Sequence, residues 1–234
     1  MGRAYRARQR DDGEQTGRLL ARPGMPSEAA HLGLQALGLA EGRDALLYTP
    51  NGYRPNQPSP LVLSLHGAGG NAEGGLGLLQ GLADAAGLLV LAPASRGRTW
   101  DVILGDYGPD VAFVDRALAW TFERYAVDPA RLAIGGFSDG ASYALSLGLT
   151  NGDLFTHVLA FSPGFIAPAG RRGTPRLYVS HGTNDTVLPI DSCSRRIVPV
   201  LHEAGYDIRY DEFDGPHTVP PEIAQTALDR MLAP

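Results

Sequence analysis

Apolar residues along this chain fall into two alternating kinds of run. Short, nearly continuous runs at Leu46-Leu47-Tyr48, Leu61-Val62-Leu63-Ser64-Leu65, Leu88-Leu89-Val90-Leu91, 131–137, Val158-Leu159-Ala160-Phe161, Leu177-Tyr178-Val179-Ser180 and 206–213 have the length of strands. Their continuity marks strands covered on both faces. Between them, 76–86, 110–125, 141–150, 194–204 and about 221–231 have the length and spacing of helices. In 110–125 the apolar positions Val111, Val114, Leu118 and Tyr125 fall on one helix face, with Asp110 placed to cap the start. Pro50-Asn51-Gly52 closes the first strand as a turn, and Pro221 suits a first helical turn. Strands alternating with helices predict the α/β class, a mostly parallel central sheet with helices on both faces. In such sheets the functional groups gather at the carboxyl ends of the strands.

The pattern is weaker before residue 44. Residues 1–43 are rich in Arg, Gly, Glu and Ala and predict a partly ordered N-terminal extension with a short helix near 27–39. Residues 44–234 then form a single domain, a size that one core supports.

Composition narrows the function. A formal net charge of -5 and a pI near 5.6 argue against nucleic acid as a partner, since phosphate binding needs clustered positive charge. All 20 basic residues are arginine. Without lysine the chain lacks what Schiff-base, pyridoxal-phosphate and P-loop nucleotide chemistry require. The single cysteine, Cys193, makes no intrachain disulfide and calls for no oxidising compartment. Arg3, Arg6, Arg8 and Arg10 precede Asp11 and Asp12 without an apolar run, so no secretory signal is seen, and 85–93 is too short to span a bilayer. The expectation is a cytoplasmic protein without stable membrane insertion, monomeric or homodimeric.

Gly136-Phe137-Ser138-Asp139-Gly140 matches G-x-S-x-G. With 30 glycines in the chain, about 0.2 such matches arise by chance, so the motif alone decides little. Its setting decides more: it follows the apolar run Leu132-Ala133-Ile134 and opens the helix from Ala141. A strand-turn-helix this tight strains the serine backbone and needs small neighbours two positions either side. It leaves the hydroxyl exposed at a helix N-terminus, where negative charge is stabilised.

A serine nucleophile at such an elbow is followed along the chain by an acid and then a histidine. His217, in Asp214-Gly215-Pro216-His217 after the last strand, is the best-placed base. His202 falls within a helix, His157 begins a strand at the wrong edge, and His181 precedes the acid. For the acid, Asp185 in His181-Gly182-Thr183-Asn184-Asp185 occupies another carboxyl-edge loop. Asp191 reads as a helix cap, and Asp139 is too close to the serine to orient an imidazole. Leu65-His66-Gly67-Ala68-Gly69-Gly70 ends a buried strand in small residues, and the N–H groups of Ala68 and Asp139 are the expected oxyanion donors. The loop lacks the endings that cradle phosphate. His66, His181, Asp185 and His217 are ligand types for zinc but show no metal-ligand spacing, so neither metal nor cofactor is expected.

The blocks His66-Gly67-Ala68-Gly69, Gly136-Phe137-Ser138-Asp139-Gly140, 181–189 and Gly215-Pro216-His217, in this order, resemble the phospholipase/carboxylesterase branch of the α/β hydrolases. That branch includes acyl-protein thioesterases and is close to polyhydroxybutyrate-depolymerase-like and feruloyl esterases. The likeness covers roughly residues 44 to 232. It implies the α/β-hydrolase fold, a triad of Ser138, Asp185 and His217, oxyanion donors at Ala68 and Asp139, and a small-molecule ester substrate. Asp139 stands where thioesterases of the branch often carry glutamine, and the extension before residue 44 is longer than a minimal member needs. Trp100 and Tyr107 in loop 95–109, Phe165 in loop 162–167, and Leu188 are candidate substrate contacts. No insertion is long enough for a large lid, which favours small or accessible esters. The expectation is a serine carboxylesterase; polyester, feruloyl and thioester hydrolysis, and a silent binding protein, are the rivals.

Overall fold

The computed structural model describes residues 16–233. Its strands are β1 (Gly33–Ala36), β2 (Ala45–Thr49), β3 (Ser59–Leu65), β4 (Leu89–Pro93), β5 (Val127–Phe137), β6 (His157–Phe161), β7 (Arg176–Gly182) and β8 (Ile208–Phe213). They form one sheet in the order β1-β2-β4-β3-β5-β6-β7-β8. At one edge β1 pairs antiparallel with β2 and β2 with β4, and every pairing from β4 to β8 is parallel. The helices are α1 (Ala72–Leu76), α2 (Gln80–Ala86), α3 (Asp101–Leu104), α4 (Pro109–Arg124), α5 (Asp139–Thr150), α6 (Ser194–Glu203) and α7 (Pro221–Leu232).

The period of two in the strands divides the core into two layers. Leu61, Leu63, Leu65, Leu132 and Ile134 join residues of α4, α5 and α6, including Val114, Leu118, Leu145 and Ile197. Their alternates Val62, Ala133 and Leu159 join Leu76, Ala83, Leu228 and Met231 from α1, α2 and α7. Burial on both faces explains why these strands read as unbroken apolar runs.

Three expectations need correction. Residues 27–39 contain β1 and no helix. Gly33 and Gly38 bracket the segment at φ +78° and +68°, outside the helical region, and β1 alternates half-buried with exposed positions as an edge strand does. The stretch 76–86 is split, because α1 stops at Gly77 and α2 restarts at Gln80. Asp110 does not cap its own helix. Asp101 does so, accepting the N–H groups of Gly108 and Asp110 (both 2.9 Å), while Asp110 accepts those of Arg96 (2.5 Å) and Asp101 (2.8 Å). The two carboxylates thus cap each other's helices.

The sheet starts ahead of residue 44, since β1 pairs along β2. Upstream, Leu19 and Ala21 enter the core, Arg18 forms a two-pronged pair with Asp153 (2.8 and 2.7 Å), and the Leu19 N–H donates to Asn151 (2.9 Å). Residues 1–15, the front of the expected partly ordered extension, lie outside the described residues. Among the described residues no helix is long and apolar enough to cross a membrane.

Candidate active site

β5 ends at Phe137 and α5 begins at Asp139, leaving Ser138 alone at the turn with φ 58° and ψ -120°. A non-glycine residue held there is strained and persists only where its surroundings enforce it. The enforcement is steric. A Cβ on Gly136 would lie 2.5 Å from the Gly140 carbonyl oxygen, and one on Gly140 would lie 2.4 Å from the Leu65 oxygen. Both glycines are therefore required, and the elbow is pressed directly onto the end of β3.

The loops after β7 and β8 bring the other two residues to Ser138. His217 Nδ1–H donates to Asp185 Oδ2 at 2.5 Å, and its Nε2 faces the Ser138 hydroxyl at 2.9 Å. Because a carboxylate only accepts, this fixes the tautomer that leaves Nε2 free to take the serine proton. The His217 ring packs on Phe137 with centroids 4.5 Å apart. Asp185 is buried, and its Oδ1 accepts the N–H groups of Val187 (2.9 Å) and Leu188 (2.8 Å). Burial pushes its pKa up, but the Leu188 N–H, His217 and the Val187 N–H outweigh it and hold the carboxyl below the ordinary range.

The rejected alternatives lie elsewhere. Asp191 sits in a 3₁₀ turn, Ile190–Ser192, and pairs with Arg195 at 2.7 Å; it caps no helix, contrary to expectation. His202 is exposed on α6. His157 starts β6 at the opposite sheet edge, and burial holds its pKa down at about 4. His181 is buried behind Asp185. Among the described residues no three His, Cys, Asp or Glu side chains are placed to hold a metal ion.

On the other side of Ser138, Gly67 packs against it, so closely that a Cβ added to Gly67 would lie 3.4 Å from that of Ser138. The next residue along the loop is Ala68. The N–H groups of Ala68 and Asp139 donate to no acceptor among the described residues, the condition for receiving a substrate oxygen. Remote residues hold this loop. Trp100 Nε1–H donates to the His66 oxygen (2.9 Å), Gly69 N–H donates to the Arg98 oxygen (2.8 Å), and Arg43 donates to the oxygens of Gly70 (2.8 Å) and Ser95 (2.5 Å). His66 donates from Nδ1 to Gly67 O (2.7 Å) and accepts the Ser95 N–H at Nε2 (3.0 Å), so it is neutral, with burial the main cause of its lowered pKa. The Asp139 carboxylate accepts from Thr99 Oγ1 at 2.6 Å. Arg43 and Thr99 carry no sequence signal for this work, since Gly70 and Asp139 lie 27 and 40 residues further along the chain.

Of the candidate substrate contacts, two are corrected. Trp100 is fully buried, stacked on Tyr143 at 5.0 Å, and supports the His66 loop. Tyr107 is also buried, its hydroxyl donating to the Ala167 oxygen (3.1 Å) and its ring covered by Gly17; burial raises its pKa to about 12. Both aromatics are buried because inward packing of the loop removes more apolar area from water than facing solvent does. Phe165 and Leu188 remain half-buried at the carboxyl edge. Ser142 Oγ, one turn into α5, accepts the Gly164 N–H at 2.9 Å and fixes that loop.

The same arrangement of sheet and helices is found in solved esterases. Esterase PE8 superposes with a TM-score of 0.62 at 25% identity, covering 79% of this chain and 95% of that one. A phospholipase/carboxylesterase from Dyadobacter fermentans gives 0.61 at 19% identity, covering 88% and 99%. The chain has the α/β-hydrolase fold. No family model matches this chain. By sequence it is 31% identical to feruloyl esterase C of Emericella nidulans over 159 residues, 64% of this chain and 57% of that protein. The chain thus spans little more than half the length of the curated relatives it matches.

Proposed function

We propose that this hydrolase is a serine carboxylesterase acting on small or accessible esters. The observation that carries the reading is the unbroken line Ser138 Oγ, His217, Asp185 at 2.9 and 2.5 Å, beside two unengaged backbone N–H groups. His217 takes the Ser138 proton as Oγ attacks the ester carbonyl, and the tetrahedral oxygen accepts from Ala68 and Asp139 N–H. His217 then protonates the leaving alcohol. Water, deprotonated by the same ring, releases the acid and regenerates Ser138. Asp185 stabilises the imidazolium that forms twice in the cycle.

The likeness to feruloyl esterase C supports a second, narrower reading within the same chemistry, hydroxycinnamoyl esters as substrates. Hydrolysis of short- and medium-chain p-nitrophenyl esters and of methyl ferulate, by wild type and Ser138→Ala, tests both. Ser138→Ala should lose about 10⁴-fold or more in kcat while staying folded. Retention of full rate by that variant would overturn the assignment. A kcat/KM for methyl ferulate below that for p-nitrophenyl acetate would reject the narrower substrate.

A further inference from the structure

Asp185 is approached by two imidazoles, and only one has a role in the chemistry above. His181, the penultimate residue of β7, turns its ring back so that Nε2 lies 3.2 Å from Asp185 Oδ2 and 2.8 Å from the Leu188 carbonyl oxygen. Its Nδ1 lies 2.6 Å from the hydroxyl of Ser194, the first residue of α6. His181, Ser194 and Asp185 are all buried.

Hydrogen-bond logic fixes the protons. A carbonyl oxygen only accepts, so Nε2 carries the hydrogen. Burial, the main influence on His181, lowers its pKa and keeps the ring neutral, so Nδ1 is a lone pair. Ser194 must then donate its hydroxyl hydrogen to Nδ1. The Nε2 hydrogen goes to Leu188 O, and the same edge of the ring stands 3.2 Å from Asp185 Oδ2, the carboxylate oxygen that accepts from His217.

The geometry points to His181 and Ser194 as positioning residues for the acid, a buried relay that holds the 185–188 turn through Leu188 O and sets the N–H edge of a second ring against Asp185 Oδ2. Ser194 sets the His181 tautomer; His181 sets the carboxylate; the carboxylate sets His217. This rests on the reading of Ser138, Asp185 and His217 as a triad. Without the His181 ring at 3.2 Å, Oδ2 answers to His217 alone and holds its imidazolium more tightly, while the carboxylate gains freedom to turn. The other ionisable groups facing this cluster have partners of their own. Glu212 of β8 is paired with Arg195 of α6 (2.6 Å), and Asp214 accepts from Asn184 (2.6 Å). Neither offers a replacement for the His181 N–H.

The test compares wild type with His181→Phe, His181→Gln and Ser194→Ala in two measurements. One is the pH dependence of kcat/KM for p-nitrophenyl acetate. The other is the NMR titration of the His217 ring, assigned by its loss in His217→Ala. His181→Phe should lower kcat about tenfold with KM within about twofold, and move the His217 midpoint up by roughly 0.5 pH unit. Ser194→Ala should move both in the same direction by less, and His181→Gln, which keeps an N–H near the Nε2 position, should recover most of the loss. An unmoved midpoint in a folded Ser194→Ala, or equal behaviour of the Phe and Gln variants, overturns the proposal. Should His181→Phe fail to fold, the Ser194→Ala midpoint decides the matter. Should wild type hydrolyse no ester, the proposed activity fails, while the NMR midpoints still judge the relay.

Discussion

The two flanks of Ser138 are built in different ways. On the acid flank, Asp185 takes its donors from Val187 and Leu188, both within three residues of it, plus His217. On the oxyanion flank, the loop 66–70 and Asp139 are held by Arg43, Arg98, Thr99 and Trp100, each reaching across the fold. One flank is a tight local turn and the other a set of distributed struts. A local turn has few parts, so losing one is severe; distributed struts share the work, so losing one is mild and the losses do not simply add.

The elbow common to both flanks should show the largest effect. In Gly140→Ala the new Cβ would meet the backbone of β3 at 2.4 Å, which no side-chain movement relieves. Little soluble protein should be recovered, and any that folds should melt well below wild type by calorimetry. On the acid flank, Asp185→Asn should cut kcat about 10³-fold or more, whereas Asp191→Asn should leave it within about twofold. A larger loss from the second substitution would show that the acid lies elsewhere. On the oxyanion flank, Thr99→Val should lower kcat about tenfold with KM nearly unchanged, since it frees the side chain of Asp139, the residue whose N–H is the proposed oxyanion donor. A Thr99→Val loss as large as that of Asp185→Asn would erase the contrast between the flanks.

The smallest effect concerns the carboxylate pair beneath loop 95–109. Burial, chiefly, raises the Asp110 pKa to about 6 from an ordinary 3.8. A raised folded pKa means that folding favours the protonated acid. Its stabilising share is full below pH 3.8 and is lost as pH rises through about 6. Relative to Asp110→Asn, wild type should therefore lose a few degrees of Tm between pH 4 and 7. A difference independent of pH would show that Asp110 is not the titrating group.

The same contrast governs what is legible in the sequence. Buried strands announce themselves as apolar runs, and Ser138, Asp185 and His217 stand in loops at their carboxyl ends, so the acid flank can be read. Its packing cannot: His181 is a poor base by its place in the chain, and nothing in its neighbourhood advertises a ring turned back onto Asp185. Edge strand β1 reads as a helix because four residues with one half-buried face carry little periodicity, and the glycines around it are the only local warning. Trp100 and Tyr107 read as pocket residues because an aromatic in a loop gives no sign of whether it turns inward. Arg43 and Thr99 are silent because the groups they hold are distant in sequence and meet them only once the sheet has formed.

α5 leaves one more consequence. Its buried hydroxyls recur every fourth residue at Ser142, Ser146 and Thr150, and two of them receive main-chain hydrogens from loop 162–167, Ser142 from Gly164 and Ser146 from Ala167 at 2.9 Å each. The loop hangs from pegs on the helix by its backbone, and Phe165 and Ile166 between them stand half-buried, packed against the core. A smaller side chain at either position therefore loosens contact with the core while the backbone pegs keep the loop in register.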